Sequence, residues 1–219
     1  MEKQLTVKRF FTLYLPLAVI MLFILFPFYW TFVTSVKPEE ELYGAIVTYW
    51  PSDFTFEAYR KLFTTTVDFL TAMKNSLIVA VFTTIVSLTA STLAAYAFSR
   101  YEFIGRKVLM CTFLCNNMFP TVLLLIPLYS IMRKLGLLYT HASLVLSYTT
   151  FTIPFSVWLL MGFLNDLPMS LEEAALIDGC NRGNAFIKII LPLLGPCLVA
   201  TGVYIFMQSW NEYTFAMMF

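Results

Sequence analysis

Five long stretches of this sequence contain no Asp, Glu, Lys or Arg. They are residues 10–36, 75–99, 108–132, 135–165 and 189–211. A helix needs about 20 apolar residues, each adding about 1.5 Å, to cross the roughly 30 Å hydrocarbon core of a bilayer. A helix buried in a soluble domain rarely avoids charge for so long, so the chain is predicted to be all-α, a polytopic transmembrane helical bundle. The predicted spans cover about residues 11–36, 75–98, 108–132, 138–164 and 189–210.

The overall composition argues against a soluble protein. Apolar residues make up 59% and charged residues only 12% of the chain, whereas a typical soluble domain has about 25% charged residues. The net charge of +1 excludes a strongly basic nucleic-acid-binding protein. The basic N-terminal tail, with Lys3, Lys8 and Arg9, is followed by an apolar run much longer than the roughly 7–15 residues of a signal peptide. We therefore expect an uncleaved first span.

The charges between the spans predict their orientation, because cytoplasmic loops are enriched in Lys and Arg. The N-terminal tail and the loop 99–107 are basic, whereas the segment 37–74 holds six acidic and four basic residues. The N-terminus and the loop 165–188 are therefore expected in the cytoplasm. The segment 37–74 is expected outside, with a short amphipathic helix at the membrane interface. The basic pair at 133 and 134 argues weakly for the opposite orientation.

Small residues and prolines mark features inside the spans. The second span carries small residues spaced four apart, at Thr83, Ser87, Ser91, Ala95 and Ser99. Such a stripe lets another helix approach closely. The third and fourth spans carry prolines, at Pro120, Pro127 and Pro154. Backbone groups freed by proline are tolerated in a bilayer only beside protein or water, so these helices either line a cavity or use their kinks in packing.

Sequence motifs for catalysis or nucleotide binding are absent. The chain has no Gly-x-x-x-x-Gly-Lys-Ser/Thr phosphate loop, no His-Glu-x-x-His and no Gly-x-Ser-x-Gly, so it does not bind ATP by that loop and offers no catalytic residue. His141, at a helix entrance, is expected to be structural. Cys111 and Cys115 are interpreted as packing residues, because no His or acidic residue lies in their span to complete a metal site.

The loop after the fourth span carries the signals of a short helix. Ser170 is a favourable N-cap, and Glu173 follows three residues later in a capping-box pattern. Gly179 can adopt the left-handed conformation that ends a helix. A helix of about two turns is therefore predicted between two spans. Ala174 and Ala175 would give it a small-residue face that a partner surface can approach.

This loop also matches a known signature. Glu173-Ala174-Ala175, three residues, Gly179, nine residues, Ile189, one residue and Leu191-Pro192 resemble the signature loop of ABC importer permeases without a gap. Other segments resemble the carbohydrate-uptake branch of that family, with the maltose-type inner-membrane permease as a relative. They are Thr34-Ser35-Val36-Lys37-Pro38, Ala94-Ala95-Tyr96-Ala97-Phe98-Ser99-Arg100, Ile126-Pro127-Leu128-Tyr129 and Trp210-Asn211-Glu212.

The resemblance implies that the short helix is a coupling helix, which docks into a cytoplasmic ATPase subunit. The coupling residues would be Glu172, Glu173, Ala174, Ala175, Asp178 and Gly179. Glu173 would either only cap its own helix or also meet a basic group of the ATPase.

Neutral side chains suited to sugar hydroxyls are candidates to line the pathway, although they could equally bond neighbouring helices. They are Asn116, Asn117, Gln208 and Asn211.

The resemblance also implies an assembly. Its members would be a second permease subunit in a heterodimer, two ATPase subunits that bind ATP and Mg²⁺, and an extracellular sugar-binding protein. This chain would hold no cofactor, catalyse no reaction and lie in the inner membrane of a bacterial or archaeal cell. Permeases of this branch usually have six spans, so we expect the chain, with five, to be truncated at its C-terminus.

Two other functional classes fit the sequence less well. A self-sufficient secondary transporter or channel normally places ionisable residues inside its spans. Here the 14 basic and 13 acidic residues all lie outside the charge-free stretches. A membrane-embedded enzyme would need a catalytic cluster within reach of a span, and the sequence has none.

Overall fold

The computed structural model describes residues 9–64 and 68–219, and within these ranges every regular element is helical. The all-α prediction is therefore confirmed. The chain divides into two compact units, Met1–Thr71 and Ala72–Phe219. The helices are α1 (Phe10–Ser35), α2 (Glu39–Leu42), α3 (Glu57–Thr64), α4 (Phe69–Arg100), α5 (Arg106–Met118), α6 (Thr121–Lys134), α7 (His141–Asp166), α8 (Ser170–Ile177), α9 (Arg182–Leu193), α10 (Gly195–Trp210) and α11 (Thr214–Met218).

Three helices, α1, α4 and α7, are each long and apolar enough to cross a bilayer. They correspond to the first, second and fourth predicted spans. Helix α4 begins at Phe69, earlier than the predicted start at residue 75. The reason is a cap: the Asp68 carboxylate accepts the Thr71 N–H at 3.1 Å, which starts the helix before Lys74.

The third and fifth predicted spans are bent rather than continuous. The chain bends by 106° between α5 and α6 and by 75° between α9 and α10, so the described residues supply up to five spans if each bent pair is one span. Phe119 is extended (φ −83°, ψ 130°) because Pro120 disfavours the helical conformation in the residue before it. Pro127 does not bend α6. It lies in the first turn of the α-helical part, Leu125–Lys134, where a missing N–H costs no helical hydrogen bond. The second bend falls at Leu194, just before Pro196.

In the first unit, the segment between α1 and α3 is ordered by polar contacts. Lys37 is only 4% exposed. Its Nζ donates to Thr48 Oγ1 at 2.8 Å and lies 5.3 Å from the centre of the Trp30 ring. Glu41 accepts the Thr48 hydroxyl and the Ser52 N–H, and these two hydrogen bonds hold the pKa of Glu41 below its usual value. The predicted short amphipathic helix is present as α3, and its place at the membrane interface stays a prediction.

In the second unit, the small-residue stripe of α4 packs against α7. Thr83, Ser87, Ser91 and Ala95 are all 0% exposed. The Ser87 and Thr152 hydroxyls lie 2.9 Å apart in a hydrogen bond, and Ala95 belongs to the same core cluster as Leu160. The predicted role of the stripe in helix contact is therefore confirmed. The packing holds the last turn of α4 beside the chain that leaves α7, where the candidate site lies.

Candidate functional site

The predicted short helix is present as α8, but its N-terminus differs from the prediction. Ser170 is the first helical residue, and Met169 is the N-cap without a side-chain hydrogen bond. The Glu173 N–H donates to Met169 O at 3.1 Å, so the capping box is wrong. The reason is that Met169 is already helical (φ −63°, ψ −25°), which places its carbonyl where the Ser170 hydroxyl would have accepted.

The C-terminal end of α8 follows the prediction. Gly179 has φ +89°, in the left-handed region that costs glycine little. Its N–H donates to Leu176 O at 3.1 Å, and the Cys180 N–H donates to Ala175 O at 2.9 Å. These two bonds form a Schellman motif, which satisfies two carbonyls at the helix end. The motif turns the chain sharply from α8 towards α9.

Glu172 is held inside the subunit by two donors from the last turn of α4. Arg100 Nε donates to one carboxylate oxygen at 2.5 Å, and the Tyr96 hydroxyl donates to the other at 2.8 Å. The side chains of Arg100 and Glu172 are 6% and 15% exposed. Arg100 also donates through Nη2 to Leu167 O at 3.1 Å. Glu172 therefore ties α8 to α4, and each oxygen of its carboxylate accepts a hydrogen bond from α4.

The remaining predicted residues of α8 divide between its two faces. Ala175 is buried, at 2% exposure, because it faces α9 and the core. Glu173, Ala174 and the C-cap residue Asp178 are exposed. They form the free face of the helix together with Ile177, its last residue. Ile177 is 86% exposed, an apolar side chain at the tip of the loop. Sequence reasoning missed Ile177, although its position two residues before the capping glycine was a usable signal.

Aromatic side chains surround the anchored end of α8. The rings of Tyr96 and Phe186 are 4.6 Å apart, and the Arg182 guanidinium lies 5.5 Å from the centre of the Tyr101 ring. A groove of about 190 Å³ lies between α4, α8 and α9, and Glu172 and Glu173 are among its lining residues. The arrangement is a rigid base with an exposed acidic and apolar tip, suited to holding a partner surface.

The four candidate pathway residues lie away from α8, on α5 and at the end of α10. Asn116 and Asn117 end α5, and Asn117 Nδ2 donates to Phe113 O within the same helix at 3.1 Å. Gln208 and Asn211 are exposed at the end of α10. Within residues 9–64 and 68–219, no hydrogen bond joins any of these four side chains to another helix. Their role in the pathway stays a prediction.

Glu212 belongs to one of the segments that resemble the family, but the sequence assigned it no structural role. Its carboxylate accepts the Tyr148 hydroxyl at 2.9 Å and the N–H groups of Phe215 and Ala216 at 3.0 and 3.2 Å. It thus caps α11 and connects that helix to α7. The sequence signal was an acidic residue three positions before an apolar run.

Comparison with known proteins places this architecture in a family. Residues 87–219 match the family described as binding-protein-dependent transport system inner membrane component. The trehalose transport system permease protein SugB of Mycobacterium tuberculosis is 37% identical over 194 residues, which cover 88% of this chain and 69% of that protein. The trehalose/maltose transport system permease protein MalG of Thermococcus litoralis is 38% identical over 196 residues, covering 89% and 70%.

The fold agrees with these similarities. The crystal structure of a bacterial ABC transporter involved in the import of the acidic polysaccharide alginate matches with a TM-score of 0.81 and 27% identity, covering 93% of this chain and 71% of the other. The region matched by the family begins within α4 and includes both bent pairs, α8 and the residues that anchor it. This chain is therefore a multi-pass membrane protein that belongs to the family of binding-protein-dependent transport system inner membrane components.

Proposed function

We propose that this chain is a permease subunit of an ABC importer for a sugar or oligosaccharide, driven by ATP hydrolysis in separate subunits. Family membership supports the permease role, and the trehalose and maltose named for its relatives support a carbohydrate cargo. The observation that carries the proposal is α8, a short helix with a buried, anchored base and an exposed tip. Such a helix suits docking into another protein, because the contacts of Glu172 with Tyr96 and Arg100 hold the exposed tip in one orientation.

The proposed contact with the ATPase uses the free face of α8. Glu173 would meet a basic group, and Ile177 would enter an apolar part of the docking cleft. The two residues are four positions apart and so lie on one face of α8, about 6 Å apart along the axis at 1.5 Å per residue, so one partner surface can engage both. Closure of an ATPase dimer would then move α8, and the spans would alternate between outward-open and inward-open states.

The proposed assembly contains a second permease, two ATPase subunits with their ATP and Mg²⁺, and an extracellular sugar-binding protein. Asn116, Asn117, Gln208 and Asn211 are the proposed pathway residues of this subunit. Their amides can each donate and accept hydrogen bonds, which matches the needs of a sugar hydroxyl. No charged group is needed for a neutral cargo.

Reconstitution in lipid vesicles tests the proposal. We expect no ATP hydrolysis from this chain alone. We expect ATP-dependent uptake of a labelled sugar when the second permease, the ATPase subunits and the binding protein are added. Uptake by this chain alone, driven by an ion gradient, would instead establish a secondary transporter. ATP hydrolysis by the purified chain would also contradict the proposal.

A further inference from the structure

Two adjacent glutamates of α8 have opposite environments. Glu173 is exposed, whereas Glu172 is 15% exposed and accepts hydrogen bonds from two donors on α4. Tyr96 and Arg100 are four residues apart, so they lie on one face of α4 in successive turns. Each donor takes a different oxygen of the carboxylate. Two donors on one rigid helix therefore hold both the position and the rotation of the Glu172 carboxylate.

The same turn of α4 also holds the chain that enters α8. Arg100 Nη2 donates to Leu167 O at 3.1 Å, and the Ser99 hydroxyl donates to Asn165 Oδ1 at 2.7 Å. One helix end thus holds the end of α7, the linker after it and the first turn of α8. Because Arg100 is 6% exposed, water competes poorly for these bonds, and the charged pair is stronger than an exposed one.

We propose that Arg100 and Tyr96 are positioning residues for coupling, which transmit displacement between α8 and α4 through the Glu172 carboxylate. This inference rests on the proposed function, since it needs a partner that moves α8. In this arrangement Glu173 determines whether the ATPase docks, and Glu172 determines whether a docked ATPase moves the spans. Assembly and coupling therefore depend on neighbouring residues with the same chemistry and can be separated by mutation.

The test uses the complete importer, purified and reconstituted in vesicles with its binding protein. Three quantities are measured for each variant: ATPase subunits retained on the permease, ATP hydrolysed, and sugar taken up per ATP. For Arg100→Ala and Glu172→Gln we expect normal retention and continued hydrolysis. We expect uptake per ATP to fall by roughly tenfold or more, since each variant removes one charge from a shielded pair. Tyr96→Phe removes a neutral donor and should reduce the ratio by only about twofold to threefold.

Matched controls make the result specific. Lys107 is an exposed basic residue of the same loop region, and Lys107→Ala should leave all three quantities unchanged. Exchanging the charges in the double variant Arg100→Glu with Glu172→Arg should recover part of the lost ratio, because the pair is restored. Glu173→Gln should instead lower retention of the ATPase subunits.

The outcomes separate this inference from the proposed function. If the Arg100 and Glu172 variants lose retention in proportion to uptake, with an unchanged ratio of uptake to ATP, their role is structural and the inference is wrong. The same holds if their ratio stays normal. In either case sugar uptake by the unmodified complex would still support the proposed function. Failure of the unmodified complex to take up any sugar with ATP would overturn both.

Discussion

Replacing Gly179 with alanine tests whether backbone conformation at the end of α8 matters. The residue has φ +89°, and a Cβ built there meets no atom within 4 Å. A steric clash is therefore absent, and the cost arises only from placing a side chain in the left-handed region. That cost is about 1 kcal/mol, which corresponds to roughly a fivefold loss in the population of the capped conformation.

Gly162→Ala is a matched control because it adds the same methyl group, also into open space. Gly162 lies inside α7 and does not adopt the left-handed conformation. Alanine at this position should therefore leave the stability of the helix unchanged or increase it by about 0.5–1 kcal/mol. Gly179→Asn should fall between wild type and Gly179→Ala, since asparagine tolerates the left-handed region better than alanine.

Hydrogen–deuterium exchange measures the effect where it occurs. The N–H groups of residues 179 and 180 form the Schellman bonds, so a peptide covering them reports on the cap. We expect exchange there to be about fivefold faster in Gly179→Ala and unchanged in Gly162→Ala. Sugar uptake should fall in the first variant while the protein level in the membrane stays normal. Unchanged exchange in Gly179→Ala, or equal changes in both variants, would refute the conformational argument.

Three further predictions address the partner, the orientation and the response to pH. Glu173→Gln should weaken ATPase retention on affinity-purified complexes. The side chain does not cap its helix, so normal retention would mean that it does not meet a basic group either. In a cysteine-free background, a cysteine at position 53 should react with an impermeant maleimide added to intact cells and one at position 181 should not; the reverse pattern would invert the topology. The hydrogen bonds of Glu41 lower its pKa below the ordinary carboxyl value of 4.5. At a pH above that value the ionised carboxylate therefore stabilises the segment around Glu41. This stability is lost as the pH falls through the lowered pKa. Tryptophan fluorescence should follow this loss in the wild type, and Glu41→Gln should remove the pH dependence.

The bends in two spans have a functional consequence within the proposed mechanism. A helix pair that is bent by 106° or 75° cannot pack along its whole length against a straight neighbour. The angled segments leave polar backbone groups that need protein or water beside them. Asn116, near the first bend, and Gln208, near the end of α10, are thus reasonable first positions for testing substrate contact by mutation.

Much of the fold follows from local features of the sequence. Charge-free stretches predicted where the long helices run, because a charged side chain in the bilayer core is costly. The four-residue spacing from Thr83 to Ala95 predicted a buried helix face, because side chains four apart lie on one side of a helix. Gly179 was predicted to end α8, because its conformation depends on its own missing side chain rather than on distant residues.

The sequence did not determine which way the side chains of α8 face. Glu172 and Glu173 are identical in chemistry and adjacent in the chain, yet one faces Arg100 and the other faces outward. Only the packing of α4 beside the loop, more than 70 positions away in sequence, decides which glutamate is held inside. The bend at Leu194 and the displaced cap at Met169 were missed for a related reason. A proline or serine signals a helix end, but the angle and the exact first residue depend on which neighbouring groups fill the space around it.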